Sequence, residues 1–338
     1  MAVWLALLWM YAVSPWTAWQ SGPVFYSPFR LGHAPDNAER KRNMRRLLAT
    51  VLALTLALTL AACGGNSTEN TDSTQGTFLS IPGTEDGVLT VGMECAYAPY
   101  NWTQADNANG AVPIVNMPGS YANGYDVMIA KKICEAYGWK LEIMALEWGG
   151  LTPALDSKTI DVAIAGQSMT ADRMAECDMA GPYYYATIVC VARAGTAQAS
   201  AKSISELSGS CTSQSGTIWY ETCLPQISGA AIQSPAADAS AMIMALESGT
   251  VDFICTDLPT ANGALAKNSN LVVLNFSGTD GDFRFATEEE RAENVNIGVS
   301  VKQGHSDLQK ALDDFLATMT EADFNTLMDQ AISIQPTI

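Results

Sequence analysis

The side chains able to do chemistry gather at a few turns. Gly166-Gln167-Ser168-Met169-Thr170-Ala171-Asp172-Arg173 is a polar turn directly after an apolar run, with Thr170 spaced as a helix N-cap and Arg173 in the first turn beyond it. A guanidinium grips a carboxylate through two parallel hydrogen bonds, although an arginine in such a place is ordinarily a solvated side chain. Asp257 follows the apolar Phe253-Ile254-Cys255-Thr256, where an aspartate commonly caps a turn or helix. Covalent chemistry has little to work with. After Cys63 the only histidine is His305 and no CxxC occurs, so a zinc site is not expected. Glu94 and Asp257 are the only obvious acid–base candidates, and neither has a histidine nearby in sequence.

Elements on either side must place these turns. Val127, Ala130, Ile133, Cys134 and Tyr137 recur at three- and four-residue spacing, the apolar stripe of an amphipathic helix that Gly138 stops. Residues 140–146 form a short apolar run bounded by breakers, as a strand would. After Trp148 and Gly149-Gly150 the pattern predicts a short helix over 151–156, then a strand buried on both faces over 160–165. Helix, strand, helix, strand in that order predicts a parallel sheet, and ligands collect just past the carboxyl ends of such strands. The turn beginning at Gly166 sits there.

The segment ALDSKTIDVAI (154–164) returns without gaps as ALESGTVDFIC (245–255), 91 residues later. Both read as helix end, tight turn and buried strand, which predicts two lobes built on one α/β plan. The other elements fit. Residues 88–93 open lobe one, 187–192 lead out of it, and 202–207 begin lobe two, with Ser203 and Glu206 spaced as a capping box. Strands are expected at 210–213 and 271–274, with Gly216-Thr217 opening a helix between them. Residues 296–301 carry the chain back. Ser306 and Gln309 read as another capping box before a helix whose stripe is Leu308, Leu312, Phe315 and Met319, and Phe324, Leu327 and Met328 mark a last short helix. Two connecting segments make two crossings between lobes, the arrangement that permits hinge closure. Lobe one is expected to span 81–187 and 293–338, and lobe two 188–292.

At 338 residues and 48% hydrophobic content the chain can build two real cores. Met44-Arg45-Arg46, the 16-residue apolar run 47–62 and Leu60-Ala61-Ala62-Cys63 have the form of a lipoprotein signal peptide (44–62) with Cys63 as the lipidated residue. The run is short for a span of about 20 residues. Residues 1–43 precede this complete signal and are read as an extension from a wrongly chosen start codon, and 63–80 as lipidated cysteine and flexible tether. From Cys63 on there are 12 basic and 33 acidic residues, a net charge of −21, which argues against nucleic acid and anionic lipid surfaces as partners. Seven cysteines follow Cys63. They read as buried apolar residues, and if one disulfide forms, Cys211 with Cys223 is preferred.

From about Thr84 to Ile332 the chain resembles the family 3 extracellular solute-binding proteins, the polar-amino-acid receptors of ABC importers. The resemblance rests on Leu89-Thr90-Val91-Gly92, Tyr97-Ala98-Pro99-Tyr100, Gly124-Tyr125-Asp126, Leu151-Thr152-Pro153-Ala154-Leu155, Ile160-Asp161, Ser168-Met169-Thr170 with Arg173, and Pro182-Tyr183-Tyr184. It implies an α/β, two-lobed periplasmic-binding-protein-like fold of type II. It also implies a monomer anchored outside the cytoplasm that needs no cofactor, catalyses nothing and hands an amino acid to a permease.

Within that resemblance Arg173 would take the ligand carboxylate, helped by backbone N–H groups of Thr217 and Ile218 at a helix start. Asp257, the Gly166 carbonyl and Ser168 would take the ammonium. Tyr97 and Trp148 would clamp the side chain, Glu94 would meet a distal cation, and Gln214 and Trp219 would close the pocket. Three departures stand out: the long segment 101–123, expected to reach over the cleft; Ile218 where the family has a second threonine; and Leu141 where some members have the disulfide partner of Cys134. Two other uses of the fold are a periplasmic cyclohexadienyl-type dehydratase and a ligand-sensing domain.

Overall fold

The computed structural model describes residues 78–336, so the readings on the extension, the signal peptide, Cys63 and most of the tether lie outside it. Residues 78–80 of the tether are docked: Leu79 N–H bonds Tyr137 O at 2.9 Å, and Trp139 Nε1 donates to Leu79 O at 2.6 Å.

Ten strands build two sheets: β1 (Val88–Met93), β2 (Lys140–Ala145), β3 (Val162–Ala163), β4 (Asp178–Tyr184), β5 (Ile188–Arg193), β6 (Ser208–Thr212), β7 (Gly229–Ile232), β8 (Phe253–Asp257), β9 (Leu271–Leu274) and β10 (Ile297–Val301). The helices are α1 (Tyr125–Tyr137), α2 (Leu151–Asp156), α3 (Ala171–Glu176), α4 (Ala239–Glu247), α5 (Leu258–Lys267), α6 (Glu288–Val295), α7 (Ser306–Leu316) and α8 (Glu321–Ile334). None among the described residues is long and apolar enough to cross a membrane.

The sheets run β2-β1-β3-β10-β4 and β7-β6-β8-β5-β9. In the first sheet β1 pairs in parallel with β2 and β3, in the second β6 pairs in parallel with β7 and β8, and one strand in each, β10 or β5, runs against the rest. The expected two-lobed α/β architecture is therefore what the chain adopts. The chain passes from the first sheet to the second between Tyr184 and Ile188, and returns between Val295 and Ile297.

The internal echo is real at the level of hydrogen bonds. After α2 the turn needs a left-handed residue, Lys158 (φ 57°), and after α4 Gly249 takes that place (φ 81°). Thr90 N–H donates to the Asp161 carboxylate at 2.8 Å and Asp161 N–H returns to Thr90 O at 2.9 Å. Ser210 and Asp252 make the same reciprocal pair at 2.8 and 2.8 Å.

Several local expectations need correction. Ser203 and Glu206 form no capping box: the chain makes a single 3-10 turn there, and Glu206 instead accepts from Lys202 N–H at 2.8 Å. Ser306 does not cap α7, because His305 holds that position, and Gln309 donates to Met179 O; α7 also ends at Leu316, short of Met319. The capping box is Thr320 with Asp323, at the head of α8. Within 160–165 only Val162–Ala163 pair in the ladder.

Residues 101–123 do not reach over the cleft. They fold into a small antiparallel sheet with Ala96–Tyr97 and seal the outer edge of β2, where Asn116 exchanges two hydrogen bonds with Ala145 (2.7 and 3.0 Å). An uncovered edge strand invites pairing with another chain, which gives this insert a structural reason. All seven described cysteines are buried free thiols, so the preferred Cys211–Cys223 bridge is not present.

Candidate functional site

The turn after β3 is held by the return crossing itself. Met169 N–H bonds Asn296 O at 2.8 Å and Gly298 N–H bonds Gln167 O at 3.0 Å, while Leu258 N–H at the head of α5 bonds Thr187 O of the outgoing crossing at 2.9 Å. The crossings are thus hydrogen-bonded directly to both turns that end the central strands. Thr170 caps α3 as expected, its hydroxyl accepting from Arg173 N–H at 3.2 Å, which fixes the arginine at the start of the helix.

Two spaces open from here. An inner cavity of about 10 Å³ is lined by Tyr97, Trp148, Gly166, Ser168 and Arg173 from the first lobe and by Gln214, Thr217 and Trp219 from the second. These are eight of the eleven residues proposed from sequence. An outer groove of about 960 Å³ runs past α2, α3 and residues 216–222, and includes Ile218. Trp148, Arg173 and Thr217 belong to both, so they form the wall between them. The inner space holds about one water molecule. A metabolite needs a site of several hundred Å³, so it enters only with the lobes parted.

Arg173 is partly buried, and its guanidinium faces carbonyls. Nη1 donates to Ser168 O, and Nη2 reaches Gly216 O of the other lobe at 3.3 Å. The guanidinium carbon lies 5.5 Å from the Trp148 ring centroid, a cation–π distance. Among the described residues no carboxylate pairs with Arg173. Burial pushes its pKa down from the usual value, yet a guanidinium stays charged. The site therefore holds a positive fork that, among the described residues, no carboxylate contacts, Glu176 acting on it only from further off. Residues 217–218 begin a short irregular helix (Trp219–Cys223 with wider, π-type turns), whose first N–H groups suit an anion.

Asp257 is placed differently from the expectation. It is completely buried and lines neither space. Its carboxylate caps α5 by accepting from Thr260 N–H at 2.9 Å, and it also accepts from Thr260 Oγ1 (2.8 Å), Tyr97 OH (2.9 Å) and Tyr100 OH (3.3 Å). Burial raises its pKa while these donors oppose the rise. With donors on both oxygens, a long 3.5 Å contact from the Thr256 hydroxyl included, it is a helix cap that also bolts the second lobe to two first-lobe tyrosines. A ligand ammonium would have to displace those hydroxyls.

Tyr97 does not stand free as half of a clamp: its ring packs on Tyr100, with centroids 4.8 Å apart. Its edge also lies where a side chain on Gly166 (φ 64°) would collide, at 2.8 Å, so only glycine fits there. Glu94 lines neither space, but its buried Oε2 lacks a well-formed hydrogen bond, as does Nε2 of the neighbouring Gln214 across the cleft, which lowers the Glu94 pKa without satisfying it. Burial pushes the Glu94 carboxyl up to about 8, with repulsion from Asp238 and Glu147 adding to it. Sequence reasoning missed Tyr100 and Thr260; the Tyr97-Ala98-Pro99-Tyr100 motif was the available signal for the first.

A hinged pair of lobes whose cleft gathers an uncompensated cation and neutral donors defines a solute receptor of the type II periplasmic class. The chain belongs to the bacterial extracellular solute-binding proteins, family 3, whose model matches residues 89–332. It is 26% identical over 279 residues to the L-cystine-binding protein TcyA of Bacillus subtilis, an alignment covering 82% of this chain and 93% of that one. To a probable histidine-binding protein of Campylobacter jejuni it is 28% identical over 255 residues, 75% of this chain and 90% of that one. In fold it is similar to an amino acid ABC transporter substrate-binding protein from Streptococcus pneumoniae bound to L-arginine. The TM-score there is 0.62, with 22% identity over 75% of this chain and 96% of that one.

Proposed function

We propose that this chain is an extracytoplasmic receptor that closes on a free amino acid and delivers it to the permease of an ABC importer. The observation that carries the reading is Arg173: a partly buried guanidinium at the cleft, satisfied only by neutral carbonyls, for which a ligand carboxylate is the natural counter-charge. The names of its relatives, binders of cystine, histidine and arginine, point the same way. Thr217 and Ile218 N–H groups complete the carboxylate site. The Gly166 carbonyl and Ser168 serve the ammonium, together with Asp257 once its tyrosines are displaced. Trp148 and Trp219 flank the side chain. The buried Glu94 carboxyl favours a ligand whose far end is cationic. A lipid on Cys63 would hold the receptor, as a monomer, beside the permease.

A thermal-shift screen of the domain from residue 64 against the twenty amino acids, ornithine and citrulline tests this, because a ligand bound only by the folded state stabilises it by about 2.7 kcal/mol at 100 times its Kd. Some hits are expected, with cationic ones among the strongest. Arg173→Ala should remove every hit, and Glu94→Gln only the cationic ones. A profile unchanged in both variants would sink the assignment.

A further inference from the structure

The Gly124-Tyr125-Asp126 motif brings a second, hidden carboxylate into the first lobe. Asp126, in the first turn of α1, is completely buried and lines neither space of the cleft. Its Oδ2 accepts from Asn101 Nδ2 at 2.7 Å, and the Asn101 side-chain oxygen accepts from Cys95 N–H at 2.7 Å. Its Oδ1 accepts from Tyr183 OH at 2.8 Å, and that hydroxyl accepts from Gly166 N–H at 3.0 Å. One carboxylate therefore holds, through one intermediary on each side, the backbone of two of the first-lobe turns beside the cleft.

Both of those turns need holding. Cys95, between Glu94 and Tyr97, sits in the left-handed region (φ 55°), which a non-glycine residue keeps only when its surroundings impose it. Gly166 has φ 64° and sits against the Tyr97 ring. The two turns come from β1 and β3, 71 residues apart in sequence between Cys95 and Gly166, and reach Asp126 from opposite sides. The second lobe offers a control. Its repeated aspartate, Asp252, holds Ser210 N–H within the strand β6 rather than in a turn that lines the cleft.

We propose that Asp126 is a positioning residue: without touching the ligand, it sets the spacing of the Glu94–Tyr97 turn against the Gly166–Ser168 turn and so the shape of the cleft's first-lobe wall. This rests on the amino-acid-binding reading for its consequence, but not for its geometry. An acceptor-only carboxylate fits here because both side-chain groups that reach it are donors. A proton on Oδ2 would face the Asn101 amide, which can only donate, and break that arm, and a proton on Oδ1 would reverse the Tyr183 hydrogen bond and so disturb the hydroxyl that Gly166 N–H bonds. Burial pushes the Asp126 carboxyl up to about 7, so this happens within reach of neutral pH. The titratable groups around it are Tyr183, Tyr125, Cys95 and Glu94, of which only Glu94 also titrates near neutrality.

Amide NMR on the ligand-free domain tests this whatever the ligand proves to be. In a Glu94→Gln background, the Cys95 and Gly166 amide resonances should titrate together with one midpoint near neutral pH, and the additional change Asp126→Asn should abolish both titrations. Hydrogen exchange at these two amides should speed up at least tenfold in Asp126→Asn, with Ser210 unchanged. Should Asp126→Asn not fold, Tyr183→Phe should speed exchange at Gly166 alone and leave Cys95 as it was. Separate midpoints, titrations that survive Asp126→Asn, or an equal loss of protection at Ser210 would overturn the proposal. For every amino acid that scores in the screen, Asp126→Asn should raise Kd at least tenfold. An empty screen refutes the binding reading and leaves the exchange result to judge the positioning one.

Discussion

The lobes share a turn and differ in the residues placed beyond it. Asp161 and Asp252 occupy the same place in the echo and make the same backbone pair, yet their pKa values move in opposite directions. Asp161 is raised by burial, whereas Asp252 is lowered by the hydroxyl and N–H of Ser210, with Arg193 nearby. The contrast grows one step further on. Past β3 the first lobe presents Arg173, a cation without a carboxylate partner; at the end of β8 the second presents Asp257, an anion surrounded by donors. A repeated scaffold thus fixes where the strand ends lie, and the residue placed there decides whether the end is a site or a cap.

The largest effect should separate these two charges. Arg173→Ala should weaken binding of every ligand by more than about 100-fold in calorimetry, the loss of a bidentate charged pair, and shift stability by less than about 0.5 kcal/mol. Asp257→Ala should do the reverse first. It leaves two buried tyrosine hydroxyls and the Thr260 N–H without their acceptor, so urea unfolding should show a loss of about 3 kcal/mol. If Arg173→Ala unfolds the domain and Asp257→Ala does not, the assignment of site and cap is inverted.

Glu94 comes next. Its folded pKa is raised from the ordinary 4.5 to about 8, so the stability this provides is full below pH 4.5 and is lost as pH rises through 8. Melting of the ligand-free domain should therefore fall between about pH 4.5 and 8 and level off above, and Glu94→Gln should flatten that fall. Binding of a cationic amino acid at pH 7 should release a proton, read as a dependence of the binding heat on buffer ionisation.

The smallest effect compares the echoed aspartates. Asp252 is lowered, so its contribution is present above the unfolded pKa and is lost as pH falls through the folded one. Asp252→Asn should cost less than about 1 kcal/mol at pH 7, because the carboxylate is partly exposed, and the cost should shrink as pH falls below the ordinary carboxylate range. Asp161→Asn should cost less at pH 7, because the amide avoids the burial penalty that raises the carboxylate.

Much of the architecture is legible in the residues alone. The 3.6-residue stripe of α1, the buried run ending in Ala165 and the echo at 245–255 state it, because burial periodicity is a property of sequence. Eight residues that line the inner cavity follow strand ends in a way the motif spacing carries. Asp257 shows the limit: what a carboxylate does depends on donors brought from Tyr97 and Tyr100, some 160 residues away in sequence. The capping boxes show another. Ser306 and Gln309 have the right spacing, but the chain enters α7 one residue earlier, at His305, while the true box at Thr320 uses Asp323 where a longer acid was sought. The insert at 101–123 covers the edge of β2, and no local pattern names a distant strand as its partner.

The most direct test is a crystal structure of the domain with the strongest ligand of the screen. The expected result is a ligand between the lobes, its carboxylate on the Arg173 guanidinium and the Thr217 and Ile218 N–H groups, with the Arg173–Gly216 contact broken. A ligand lying in the outer groove or on either lobe alone, with Arg173 still bound to the Ser168 and Gly216 carbonyls, would contradict the account.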